Sequence, residues 1–381
     1  MGSDLTFEQG PIRPPSEAMS LLLRFTRNCP WNKCLFCPVY KGREFSRRSL
    51  EEIKADIQAA KDIYDEIIAL SWRLGRPGKV DDTVISHLYN SGPYSHAYLN
   101  VAAWLYYDTG AVFIQDANNL VLDTDVLVEA LEFLREKFPF ITRVTSYARS
   151  STLARKSVED LRRIRQAGLD RVHVGLETGH DPLLKLMNKG TTAAKQIEGG
   201  KRALAAGMEL SEYVMPGLGG KEMSREHAID TARVLNEINP DFIRLRSLRV
   251  PPRIPLFDLV ESGRFTPLTD DEQAQEIKLF LETLDGITST ITSDHIMNLL
   301  EEVTGKYPED KERLIGIVDE YLNLPEDEKL IYRLGRRGGL FRTLGDRLDP
   351  AKRARIEGAL RRLQAEGAVE ATIRELVDQT I

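Results

Sequence analysis

Apolar positions along the chain fall into short runs that alternate with longer stretches of helical period. Residues 19–25 (Met-Ser-Leu-Leu-Leu-Arg-Phe) form one such run, of the length of a buried strand. Residues 49–74 follow as an amphipathic helix. Ser49 stands at the N-cap position, Glu52 at the third helical position, and Gly75 can close the helix. The same alternation recurs down the chain. Strands are expected at 111–115, 141–147, 170–176, 209–215 and 241–249. Helices are expected between them at 125–138, 158–167, 191–206 and 224–238. Gly168 and Gly207 follow two of these helices as C-terminal stops. Strands separated by such helices read as a parallel sheet, so the chain is expected to be α/β, with six strand–helix units.

Two stretches break the rhythm. Residues 76–110 hold Pro77, Gly78, Gly92 and Pro93 and then the run Val-Ala-Ala-Trp-Leu-Tyr-Tyr at 101–107. They read either as an insertion with a short helix on the open face of the sheet, or as a surface excursion that packs its aromatics on the wall. From 266 onward the pattern is all helical, with helices expected at 270–284, 294–302, 310–323, 326–336 and 349–376. The Pro-rich stretch 251–255 and Gly263 place the boundary. The organisation expected is an N-terminal segment 1–18, a core 19–263 with an insertion at about 76–110, and a helical region 264–381.

Composition narrows the class. Hydrophobic content of 42% and charged content of 29% suit a soluble globular chain. No apolar run approaches the ~20 residues that span a bilayer, and residues 1–17 have no signal-peptide core. Three thiols and no export signal point to a reducing cytoplasm. A net charge of −6 gives no support to bulk nucleic-acid binding, so nucleic acid is not an expected partner and no membrane is.

All three cysteines lie inside nine positions: Cys29, Cys34 and Cys37, in Cys-Pro-Trp-Asn-Lys-Cys-Leu-Phe-Cys. An odd number cannot pair off as disulfides, and thiolates are soft metal ligands. Zinc and electron-transfer clusters usually take four ligands, so three imply an open position on the metal. A three-cysteine zinc site stays open on spacing alone. The loop directly follows the first strand, where a β/α barrel carries its active site.

The pattern C-x4-C-x2-C, with Phe36 before the last cysteine, resembles the radical S-adenosylmethionine (radical SAM) superfamily. That family's usual signature is C-x3-C-x2-C with an aromatic at the same place. A second motif carries the resemblance: Val-His-Val-Gly-Leu-Glu-Thr-Gly at 172–179, then Leu-Leu-Lys-Leu-Met-Asn-Lys-Gly at 183–190. It looks like the fourth-strand region of the branch containing oxygen-independent coproporphyrinogen oxidases and the Elongator-type and methylthiotransferase-type enzymes. The resemblance implies a partial (β/α)6 TIM-like barrel with an α-helical C-terminal extension. It implies a [4Fe–4S] cluster on Cys29, Cys34 and Cys37, with S-adenosylmethionine on the fourth iron. Phe36, Asp116, Glu177, Gly217 and Gly219 are the cofactor-binding residues it suggests. Asp116 and the two glycines are the weaker matches, because the second strand end lacks the family's glycines and a Gly-rich turn alone is only a turn.

Arg244, Arg246 and Arg249 lie on the expected sixth strand, where Arg244 and Arg246 share a face. One of these two can bind the adenosylmethionine carboxylate or an acidic substrate; the other reading is the wet side of an edge strand. The resemblance further implies a reductant such as flavodoxin or ferredoxin, and a substrate expected to be a small molecule. With three cysteines, a second cluster or a methyl-carrying cysteine is not expected, and too little chain precedes Leu21 for a cobalamin domain. Three functions therefore stand: radical chemistry through a 5′-deoxyadenosyl radical, non-canonical cleavage with aminocarboxypropyl transfer, and a non-catalytic zinc or iron–sulfur binding module.

Overall fold

A computed structural model describes residues 4–378, so residues 1–3 and 379–381 of the expected end segments lie outside the described residues. The protein is α/β, with parallel-paired strands, flanking helices and a helical C-terminal region. Its main sheet has eight strands. The chain divides into two compact units by contact: Met1–Asn32, Val39–Val174 and Glu198–Leu210 in the first; Lys33–Pro38, Gly175–Ile197 and Ser211–Ile381 in the second.

In the first unit, β1 (Leu21–Arg24) is followed by a small ladder of β2 (Thr26–Arg27) and β3 (Ser46–Arg47). Helix α1 (Leu50–Arg73) starts at Ser49 with a capping box: Ser49 accepts from the Glu52 amide and Glu52 returns a bond to Ser49. Two such bonds satisfy two otherwise orphaned amides and fix where the helix begins. Ile53, Ile57, Ile63 and Ile67 line its buried face. The stretch 76–110 forms two helices, α2 (Asp82–Ser91) and α3 (His96–Tyr107), rather than one. Trp104 of α3 is buried, edge-on to Phe138 and stacked on Phe140, with ring centroids 5.5 and 5.6 Å away. Trp104 packs inward, while Tyr89, Tyr106 and Tyr107 of the same stretch are exposed.

Then follow β4 (Ala111–Gln115), α4 (Thr124–Lys137), β5 (Arg143–Ala148), the short α5 (Ser150–Leu153), α6 (Val158–Ala167) and β6 (Arg171–Glu177), whose residues 175–177 fall in the second unit. Strands β1, β4, β5 and β6 pair in that order, all parallel. Val112, Ile114, Val144 and Val172 are fully buried or nearly so, as strands covered by helices require.

The second unit carries α7 (Asp181–Leu186) and takes in part of α8 (Ala193–Ala205) and of β7 (Glu209–Val214). Beyond them come α9 (Gly220–Ile238) and β8 (Phe242–Leu245). After α10 (Leu256–Glu261) and α11 (Asp270–Thr283) come two strands the helical pattern did not announce, β9 (Thr290–Thr292) and β10 (Gly305–Lys306). β9 runs parallel to β8, and β10 antiparallel to β9. The helix expected at 294–302 does not form. Ser293 donates its hydroxyl to the Leu300 carbonyl at 2.7 Å instead of capping, and Asn298 donates to the Leu245 carbonyl at 2.8 Å. Side-chain bonds to the backbone compete with helix, and here they win. The rest is helical: α12 (Lys311–Leu322), α13 (Glu326–Arg337), α14 (Pro350–Ala365) and α15 (Val369–Asp378). The single helix expected at 349–376 breaks at Gly367, whose φ of +65° is the left-handed stop glycine allows. Among the described residues no helix is long and apolar enough to cross a membrane.

Candidate active site

The cysteine loop starts and ends at the β2–β3 ladder. Asn28 and Asn32 both adopt positive φ, +69° and +46°. Asparagine tolerates this region because its side chain can bond the local backbone. Asn28 donates to the Glu44 carbonyl at 2.5 Å, and Asn32 to the carbonyls of Tyr40 at 2.6 Å and Arg43 at 3.2 Å. The Asn32 amide then points at the Cys29 sulfur, 3.3 Å away. The four-residue first gap is thus absorbed by one left-handed residue, pinned by its own side chain.

None of the three cysteines is in a disulfide; Cys34 is buried and the other two half-buried. Cys29 belongs to the first unit, Cys34 and Cys37 to the second. In the second unit the Leu35 amide donates to the Met187 carbonyl at 3.1 Å, and the Leu35 carbonyl accepts from the Leu256 amide at 3.1 Å. Phe36 lies under the Lys189 ammonium, 5.5 Å from its ring centre. Among the described residues no three His, Cys, Asp or Glu side chains are grouped as metal ligands. The assignment of ligands therefore rests on the donor set, three cysteines in nine positions with none in a disulfide, which suits a cluster with one open iron.

Asp116 follows β4 with a φ of +72° and is fully buried. Its carboxylate takes the Arg24 guanidinium, Nε at 2.5 Å. Burial raises its pKa, against the pull of Arg24. The Tyr40 hydroxyl is buried beside it and is pushed up by burial and by the Asp116 and Cys29 charges. Within the first unit Asp116 thus holds Arg24.

Glu177 ends β6 with a φ of +64°, a conformation rare outside glycine. Its Oε1 accepts from Lys189 Nζ at 2.8 Å, and both side chains are nearly buried. Gly175 makes room for the pair: a Cβ there would sit 2.3 Å from Glu177 Oε1 and 3.0 Å from Lys189 Nζ. Glu212, on β7, is fully buried, and neither carboxylate oxygen has a hydrogen-bond partner. Burial pushes its carboxyl well above the usual range; Lys189 pulls it back and Glu177 pushes it further. Sequence reasoning missed both Lys189 and Glu212. The signal for Glu212 was present, a carboxylate between Leu210 and Val214 on one face of a strand.

Gly217, at φ +88°, and Gly219 lie in the turn after β7. A Cβ at Gly217 would come 2.7 Å from Gln273 Nε2, and one at Gly219 2.7 Å from the Met223 carbonyl, so both positions need glycine.

The arginine reading changes. The sixth strand ends at Leu245, so Arg246 and Arg249 are off it and the shared face is lost. Arg244 is buried, donating to Ser211 Oγ at 3.1 Å and pairing with Asp294 at 3.1 Å. Arg246 is exposed, and its charge adds to burial in lowering the His295 pKa to about 4.

Behind the Gly217 turn lies a buried acid, Glu276, pushed by burial up to about 7, with hydrogen bonds from Ser224 and Gly217 opposing. The titratable group facing it is His227, Nε2 3.6 Å away, which burial lowers to about 4. A raised acid contributes stability that is full below its unfolded value of 4.5 and is lost as pH rises through 7. Glu276→Gln removes that loss. Its stability relative to wild type is expected to rise by about 3 kcal/mol between pH 4.5 and pH 8, read from urea melts. A difference that stays flat with pH would show that Glu276 ionises freely in the fold.

Residues 98–232 match the model of the Radical SAM superfamily, a stretch that begins after the cysteine loop. Over that stretch, which takes in the strands β4 to β7, the chain is similar to the radical SAM superfamily. Among individual proteins, it is similar to the tRNA uridine(34) acetyltransferase of Methanocaldococcus jannaschii, 21% identical over 277 residues, 70% of this chain and 49% of that protein. It is similar also to the heme chaperone HemW of Bacillus subtilis, 22% identical over 181 residues, 47% of either chain. The chain spans about half the length of the curated relatives it matches. The solved coproporphyrinogen III oxidase HemN of Escherichia coli overlays with a TM-score of 0.42 at 14% identity, over 65% of this chain and 49% of that one.

Proposed function

We propose that this is a radical SAM enzyme in which Cys29, Cys34 and Cys37 hold the [4Fe–4S] cluster and Glu177, Lys189 and Glu212 line the S-adenosylmethionine site. The observation that carries the reading is the donor set: three cysteines within nine positions, none in a disulfide, with no fourth cysteine in the sequence. When bound, the cluster supplies one-electron cleavage of adenosylmethionine to methionine and a 5′-deoxyadenosyl radical, which takes a hydrogen atom from substrate. The protein's own residues bind and orient. Lys189 offers its ammonium to the methionyl carboxylate, and Glu177 and Glu212 offer carboxyls to the ammonium and ribose hydroxyls. Phe36 lies under the Lys189 ammonium and helps exclude water, and the Gly217–Gly219 turn admits close approach of the adenine. Arg246, exposed and off the strand, is left as the candidate for an acidic substrate, since Arg244 is engaged by Asp294.

A cytoplasmic reductant of the flavodoxin or ferredoxin kind supplies the electron. The substrate is proposed as a small molecule; because one relative carries tRNA in its name, a tRNA gel shift is the control for that choice. Anaerobically reconstituted protein is expected to hold about four irons and four sulfides and to form 5′-deoxyadenosine with dithionite and adenosylmethionine. Methylthioadenosine as the product would move the reading to aminocarboxypropyl transfer. A colourless zinc protein that leaves adenosylmethionine intact would sink it.

A further inference from the structure

The turn at 216–220 is gripped by two side chains of α11. The register of that helix is fixed by a capping box at its start, Thr269 with Glu272. Gln273 and Glu276, three positions apart, therefore share one face, and both are buried. Gln273 Nε2 donates to the Pro216 carbonyl at 3.1 Å. Glu276 Oε1 accepts from the Gly217 amide at 2.6 Å, and Oε2 from the Ser224 hydroxyl at 2.5 Å. Successive backbone groups of the turn are thus taken by one helix face, and Gln273 occupies the space a Gly217 side chain would fill.

The grip extends to the segment after Glu177. His227 Nδ1 meets Thr178 Oγ1 at 2.8 Å, and Nε2 meets the Met215 carbonyl at 3.1 Å. Thr231 Oγ1 accepts from the Gly179 amide at 2.9 Å. Glu276, His227 and Thr231 therefore bind the backbone on both sides of the strand ends that carry Glu177 and the glycine turn. A buried carboxyl is a costly way to cover a turn that leucine would pack well. Its two oxygens take an amide and a hydroxyl, and no cation. That chemistry sets backbone position.

We infer that Glu276 and Gln273 are positioning residues for S-adenosylmethionine, holding the 216–220 turn at the distance the adenine requires. The inference rests on the function proposed above. It makes α11 part of the cofactor site, so that the helical region beyond the core is not a separate binding module.

The test measures adenosylmethionine binding by equilibrium dialysis on reconstituted protein, beside hydrogen exchange of the 216–220 amides and the melting temperature of the protein without cluster. Glu276→Ala is expected to weaken binding about tenfold and to speed exchange at the turn. Glu276→Gln keeps an oxygen for Gly217 and an amide for Ser224, and is expected to bind within about threefold of wild type. A purely structural role would lower the melting temperature of Glu276→Ala and leave the affinity of the folded fraction unchanged, which overturns the proposal. If Glu276→Ala does not fold, Gln273→Ala decides: a loss of about threefold or more supports the inference and wild-type affinity overturns it. Wild-type protein that fails to bind adenosylmethionine overturns the proposed function itself, a different result from wild type that binds beside indifferent variants.

Discussion

Cys29→Ser, Cys34→Ser and Cys37→Ser are each expected to lose the brown colour of the reconstituted protein, and to fall to the no-enzyme rate of 5′-deoxyadenosine formation. Serine is nearly isosteric, but its hydroxyl stays protonated at neutral pH and is a hard oxygen donor where iron–sulfur clusters take thiolate. The three variants separate in the apoprotein. Cys34 is buried, so Cys34→Ser replaces a buried thiol with a more strongly hydrated hydroxyl, and a loss of about 1 kcal/mol or more is expected. Cys29 and Cys37 are half-buried, and their variants are expected to melt like wild type. The Cys29 sulfur accepts from the Asn32 amide, and a serine oxygen can accept the same bond. Iron and sulfide content, with the electron paramagnetic resonance signal of the reduced protein, checks the first part; urea melts check the second. Any one variant that keeps full iron content and full cleavage would remove that cysteine from the ligand set.

Much of this layout was legible in the chain because it is written in local chemistry. The capping box at Ser49 and Glu52, the all-apolar run of β4 and the stop at Gly168 each depend on residues close in sequence. The two late strands were not legible. β9 and β10 hold only Thr290–Thr292 and Gly305–Lys306, too short for a period to show, and β9 exists because β8 offers it an edge. The missing helix at 294–302 has the same cause: Asn298 bonds the backbone of Leu245 and Ser247, about fifty positions away. In the site, the cysteines and Glu177 announced themselves by motif. Lys189 stood inside a quoted motif with no role until its ammonium was placed against Glu177. Glu276 carried no local signal, since an acid on an amphipathic helix is ordinarily a solvated one.

The Glu177–Lys189–Glu212 group is expected to answer substitution with opposite signs. Lys189 and Glu177 form a nearly buried pair, with side chains 10% and 12% exposed. Removing one partner of a buried pair leaves an uncompensated charge, at a cost of about 3–5 kcal/mol. Lys189→Met should therefore destabilise the protein by about 3 kcal/mol, and the double variant with Glu177→Gln should recover most of the loss. Glu212 lies on the other side of the argument. Its two oxygens are buried without hydrogen bonds, so the fold gains nothing from them and bears their desolvation. Glu212→Leu is expected to stabilise the protein by about 1–2 kcal/mol. Both single variants should nevertheless lose adenosylmethionine binding, because the charges and donors that recognise its carboxylate and ammonium are gone. A residue whose removal strengthens the fold while abolishing binding is kept for the ligand. Urea melts and equilibrium dialysis on the same preparations decide the matter. If Glu212→Leu instead weakens the fold, the carboxyl has a partner within the protein and leaves the site. If Lys189→Met binds adenosylmethionine as wild type does, the pair is a strut under the strand end and nothing more.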